Sequence, residues 1–113
     1  MTDKELIRVV KSFTKGILGG RPTTDMCYMV CSPLQAYLRA VGVECTLTEG
    51  ELNGLYQHFW LTLSDGRIID PTADQFGLLN IYVRKQLSYY KAYTSEDYNQ
   101  KISDAVIKFE NCG

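Results

Sequence analysis

Apolar positions near the start of the chain, Leu6, Val10, Phe13 and Ile17, recur every three or four residues, the period of one helix face. Thr2, followed three residues later by Glu5, forms a capping box. A helix is therefore predicted from Thr2 to Lys15, closed by Gly16, Gly19 and Gly20. The same period returns at Val30, Leu34, Tyr37, Leu38 and Val41, predicting a second helix from about Met26 to Ala40 with Asp25 as its N-cap. Pro33 lacks a backbone donor and disfavours a helical residue before it. Two forms follow: a helix from Asp25 kinked at Pro33, or a turn carrying Cys27 with the helix starting at Pro33, where Ser32-Pro33-Leu34-Gln35 is a second capping box. In both, Cys27 precedes or opens the helix.

After Gly42 the period changes from helical to alternating. Val43, Cys45 and Leu47 read as inward and Glu44, Thr46 and Thr48 as outward, predicting a strand over 43–48, and Glu49 to Tyr56 reads as a polar loop. Gln57 to Leu63 is a second strand with His58, Trp60 and Thr62 on one face and Phe59, Leu61 and Leu63 on the other. Ser64-Asp65-Gly66-Arg67 is a tight turn, Arg67 to Asp70 a third strand ended by Pro71, Thr72 to Phe76 a loop, and Leu78 to Val83 a fourth strand. Arg84 to Thr94 suits an edge strand or a packed loop. Ser95 is expected to cap a final helix to about Phe109, with Tyr98, Ile102, Ala105, Val106 and Phe109 on one stripe. Helices, then antiparallel strands, then a helix predict an α+β domain with its helices packed on one side of an antiparallel β-sheet.

The length of 113 residues supports one core, so residues 1–113 are expected to form a single domain. Twelve basic and thirteen acidic residues are interspersed, giving a net charge of −1 without a basic block, and no nucleic-acid partner is expected. No long apolar run indicates a signal peptide or membrane span, so a cytoplasmic protein with no membrane partner and reduced thiols is expected. Four cysteines are present, of which Cys45 and Cys112 read as inert. Cys27 and Cys31 have only Cys45 and His58 as remote company, which argues against a zinc site, and no metal is expected.

The chemistry lies in the only histidine. A thiol is only a few per cent thiolate near neutral pH, so nucleophilic work needs an imidazole to take the proton and a third group to orient that imidazole. Cys27, His58 and Asp70 supply all three in that order. The turn between the last two puts them on neighbouring antiparallel strands, with Asp70 expected to accept Nδ1–H of His58. Standing alone, a strand histidine is more often structural, and an aspartate before proline can merely cap a loop. Cys31, one helical turn after Cys27, is the alternative nucleophile, and local helix signals alone favour it. Trp60 reads most simply as core and is a candidate substrate contact. An oxyanion needs donors: the Cys27 N–H is the first candidate, and Gln75 and Gln57 are candidate amide donors or substrate contacts. Asp74 is expected to hold its own loop.

Cys27, then Gly42-Val43 fifteen residues on, then His58-x-Trp60 and Ile69-Asp70-Pro71-Thr72 together resemble the core of the transglutaminase-like, papain-type cysteine enzymes. The resemblance covers about half the chain, roughly Asp25 to Phe76. It implies a papain/transglutaminase-like core, with Cys27 as nucleophile in preference to Cys31, His58 as base and Asp70 as orienting acid. The activities it implies are peptidase, amidase, deamidase or acyl transfer on a protein or peptide amide through a thioester, without a cofactor. This chain departs from the pattern in its small size, in Pro33 and in the second thiol at Cys31. The alternative is a catalytically inactive member of the same scaffold, acting as an inhibitor or adaptor by protein–protein contact.

Overall fold

The computed structural model describes residues 1–112. Thr2 Oγ1 accepts the N–H of Glu5 at 3.2 Å and starts α1, Asp3–Leu18, which runs one turn beyond its expected end and closes on Gly19 in the left-handed conformation. The second helix, α2, spans Cys27–Ala40 and continues through Pro33. It follows the form that crosses Pro33, starting two residues after Asp25, and not the late start at Pro33. Met26 is its N-cap, while Asp25 sits at φ 58° and is not the cap. An aspartate tolerates that conformation better than most residues, but it takes Asp25 off the helix axis.

The first strand, β1, spans Cys45–Leu52, longer than the alternation indicated, because residues 49–52 continue it where a loop was expected. Gly50 misleads the sequence reading. It is paired with His58, and a Cβ there would come within 2.6 Å of Trp60 Cη2 and 2.2 Å of the Lys91 carbonyl oxygen. The glycine marks a close approach rather than a turn. The turn is Asn53-Gly54, both at positive φ, and it leads into β2, Tyr56–Leu63.

β3 is Arg67–Asp70, followed by a 3₁₀ turn at Ala73–Phe76 in place of the expected open loop. β4 is Ile81–Lys85, three residues later than expected, and β5 is the short edge strand Tyr90–Ala92. The final helix, α3, is Ser95–Cys112. Its cap is Thr94, one residue before Ser95: Thr94 Oγ1 accepts the Asp97 N–H at 3.2 Å and Asp97 Oδ2 accepts the Thr94 N–H at 2.7 Å. The Cys112 side chain lies outside the described residues.

The five strands form one antiparallel sheet in the order β4-β3-β2-β1-β5. Alternation along β2 divides the core into two. Leu61 and Leu63 pack with Cys45 and Ile69 against Leu6 and Val10 of α1 and Cys31, Leu34 and Leu38 of α2. Trp60 packs on the opposite face with Leu52, Ile68, Ile81 and Tyr90, flanked by Phe76, Leu78, Leu87 and Tyr89. Thus α1 and α2 cover one face of the sheet, and the segments after β3 and β4 cover the other. In a flat sheet β5 and β3 would lie three spacings of ~4.8 Å apart. Yet the Tyr90 hydroxyl reaches Asp70 at 2.6 Å, so the sheet is curled about its second face.

The third helix takes no part in either core. Its apolar stripe, with Ile102 at 62 % and Phe109 at 81 % exposure, faces solvent. It is tied at its root by Tyr98, whose hydroxyl donates to Glu49 Oε1 at 3.0 Å. The radius of gyration, 15.7 Å, exceeds the ~13 Å expected of a compact chain this size because α3 projects.

Candidate active site

The β2–β3 hairpin builds half of the site. Leu61 pairs with Ile69 and Thr62 with Ile68, so Asp70 shares the His58 and Trp60 face and lies diagonally from His58. His58 Nε2 lies 3.0 and 2.8 Å from Oδ1 and Oδ2 of Asp70, and both residues are fully buried. The expected Nδ1 contact is therefore corrected to Nε2. The reason is ring direction: Nε2 points along the sheet toward β3, which leaves Nδ1 for the other side.

Nδ1 is buried and has no hydrogen-bond partner of good geometry. The Cys27 thiol lies close enough to the imidazole for each to bias the other's ionisation, and Nδ1 is the ring nitrogen that Asp70 leaves open to it. Cys27 reaches this place because pairing between β2 and β3 stops before His58 and Phe59, and the first turn of α2 fills the gap. The Phe59 backbone addresses both cysteines: it helps stabilise the Cys27 thiolate, and its carbonyl accepts from Cys31 Sγ at 3.9 Å.

The electrostatics follow from this layout. Burial of Cys27 raises its pKa, but the neighbouring His58 imidazole with its charge and the Phe59 and Tyr28 backbone outweigh it and bring the thiol below its ordinary value. Burial likewise lowers His58, but the bonds to Asp70 and then the nearby Cys27 thiol, with their charges, lift it to about 9. Cys27 is also the first residue of α2, where the helix dipole favours an anion. Together these favour a thiolate–imidazolium pair. Cys31 is in the opposite situation: fully buried in the helix-side core, its thiol is pushed well up by desolvation and by the charges of Asp70, Cys27 and Cys45.

Two hydrogen bonds explain the loop after Asp70. Thr23 donates its hydroxyl to Asp74 Oδ1 at 2.7 Å, and the Asp25 N–H donates to Gln75 Oε1 at 3.1 Å. The 3₁₀ turn thus grips the loop that delivers Cys27. Gln75 also donates Nε2–H to the Thr72 carbonyl at 3.0 Å, so both ends of its amide are spent on loop structure. Gln57 shares the face of Phe59, away from His58, and donates to Glu49 Oε2 at 3.2 Å. Neither amide is brought to the site as an oxyanion donor. Trp60 is fully buried, 6.3 Å between ring centroids from His58, so it supports the imidazole and offers no exposed surface to a substrate.

Sequence reasoning missed two neighbours. Phe76 meets the His58 ring edge-on at 5.0 Å and stacks on Tyr56 at 4.4 Å. Tyr90 donates its hydroxyl to Asp70 Oδ2 at 2.6 Å. The signal for Phe76 was its place in the loop leaving Asp70; nothing in the local pattern marks Tyr90 among its neighbouring tyrosines. Among the described residues no three His, Cys, Asp or Glu side chains converge as metal ligands, and no helix is long and apolar enough to cross a membrane. Compared with known families, curated proteins and solved structures, the chain matches none.

Proposed function

We propose that this protein is a cysteine-dependent amide hydrolase or acyltransferase of the transglutaminase-like, papain-type class, acting on a protein or peptide amide. The observation that carries the reading is the imidazole's division of labour: Nε2 is held by a buried carboxylate, while the buried Nδ1 is left to a lowered thiol at a helix start.

In this reading Cys27 Sγ attacks the amide carbonyl carbon and the carbonyl electrons move to oxygen. The Cys27 N–H, which opens α2 and has no intrahelical acceptor, is available to that oxyanion. As the C–N bond breaks, His58 gives its Nδ1 proton to the departing amine, leaving a thioester. Water or an acceptor amine then attacks, His58 takes its proton, and the Cys27 thiolate is regenerated. Asp70 keeps Nε2 protonated throughout.

Intact-mass labelling with iodoacetamide near neutral pH tests the reading. One fast adduct is expected on native protein, lost in Cys27→Ala, slowed in His58→Ala and kept in Cys31→Ala. Slow labelling of Cys27 at the rate of an ordinary exposed thiol would overturn it and leave the docking role of an inactive scaffold.

A further inference from the structure

We propose that Tyr90 is a positioning residue of this site, whose hydroxyl holds the Asp70 carboxylate in the one orientation that receives Nε2–H of His58. The inference rests on the Cys27–His58–Asp70 reading above and extends it to a fourth side chain.

The buried carboxylate has three donors. Oδ2 takes Tyr90 O–H at 2.6 Å and His58 Nε2–H at 2.8 Å, while Oδ1 takes the longer Thr72 N–H at 3.3 Å and lies 3.0 Å from the same imidazole nitrogen. The shortest of these contacts comes from the strand farthest away in the chain. Without it, only a long backbone bond would oppose rotation of the carboxylate about its Cβ–Cγ axis. A buried tyrosine seeking any acceptor is ordinarily satisfied by a carbonyl oxygen. Here it is aimed across a curled sheet at the charged group that orients the base.

The surroundings keep Tyr90 where it is. Its ring packs edge-on against Trp60 at 5.0 Å and beside Tyr89 at 5.2 Å, and the residue is 3 % exposed. Its backbone is fixed by pairing with Leu52 and by Gln86, which donates to the Tyr90 carbonyl at 2.9 Å. The titratable groups around the Asp70–His58 pair are Cys27 and Cys31 from α2, with Tyr89 and Tyr90 at the start of β5. Burial and then the Asp70 charge push the Tyr90 phenol well above its ordinary range, so it stays a donor wherever the site works.

Tyr90→Phe removes one oxygen and keeps the ring. Because the chain has a single histidine, ¹⁵N NMR reads its titration without assignment ambiguity. In Tyr90→Phe the His58 midpoint should fall below about 9, because a carboxylate free to turn gives up its bond to Nε2, the first of the interactions that raise His58, and alkylation of Cys27 at neutral pH should slow roughly tenfold, as for loss of an outer partner of a reacting group. A purely structural tyrosine would lower the melting temperature and move neither. A His58 midpoint that stays put or rises, with Cys27 labelling within twofold of wild type, overturns the proposal. Should the variant not fold, the wild type decides: its Tyr90 hydroxyl proton should exchange slowly and show a nuclear Overhauser effect to the His58 Nε2 proton, and absence of that contact overturns the proposal equally. The titration requires no reactive thiol, so Tyr90's role is decided even where Cys27 proves ordinary.

Discussion

Asp70→Asn keeps the shape of the side chain and removes its charge, which makes it the sharpest probe of the buried pair. His58 is raised from the ordinary 6.5 to about 9, a difference worth roughly 3 kcal/mol in favour of the imidazolium. Burial opposes that shift; among the groups that raise it, Asp70 comes first and Cys27 second, so the carboxylate supplies the larger part of it. Because the folded value lies above the unfolded one, this stabilisation is fully present below about pH 6.5 and is lost as pH rises through about 9. The substitution should therefore cost about 2 kcal/mol more at pH 6 than at pH 10, where His58 is neutral in both proteins and only the weakened bonds from Tyr90, Thr72 and the neutral Nε2–H remain. Urea denaturation under reducing conditions measures it: the midpoint gap between wild type and variant should be wider at pH 6 by about 1 M. An equal gap at the two pH values, or a wider one at pH 10, would refute an imidazolium held by Asp70.

Three further outcomes follow from packing. Gly50→Ala places a methyl within 2.8 Å of Lys91, Trp60 and Ala92 atoms, and overpacking of about 1–3 kcal/mol should lower the melting temperature and loosen β5, seen as faster amide exchange at Tyr90 to Ala92. Cys31→Ser puts a hydroxyl into the helix-side core and should cost about 1–2 kcal/mol in urea while leaving the Cys27 labelling rate unchanged, which separates the core thiol from the reacting one. Ending the chain after Ser103 removes residues 104–111, all exposed to solvent, together with the last two residues of the chain, and the unfolding free energy in urea should stay within about 0.5 kcal/mol of wild type.

The periodic elements were legible because their burial is periodic. Leu6 and Val10 in α1, the split faces of β2 and the Arg67–Asp70 strand all obey the rules that predicted them. The misses have local causes. Gly50 resembles a loop residue in one dimension and is a contact point in three, while the Asn53-Gly54 pair that carries the turn signal was absorbed into an over-long loop. Pro33 promised an interruption, yet the buried side chains Val30, Cys31, Leu34 and Leu38 around it keep α2 continuous. At the site, the residue types and their order are visible in the chain, whereas the ring nitrogen that meets Asp70 and the arrival of Tyr90 depend on sheet curl, which no short window encodes. The apolar stripe of α3 has helical spacing, but spacing alone does not say whether a partner face exists; within this chain none covers it among the described residues.

The two bonds that grip the Cys27 loop join residues 51 and 50 positions apart, while His58 and Asp70 are separated by only 12. Closing the longer loop is entropically costlier, so the place of the thiol rests on the less local of the two closures, while the base and its carboxylate are joined within one hairpin. A chain opened locally at that closure would carry an ordinary thiol at Cys27, because the groups that lower it, His58 and the Phe59 and Tyr28 backbone, are brought to it only by the native fold.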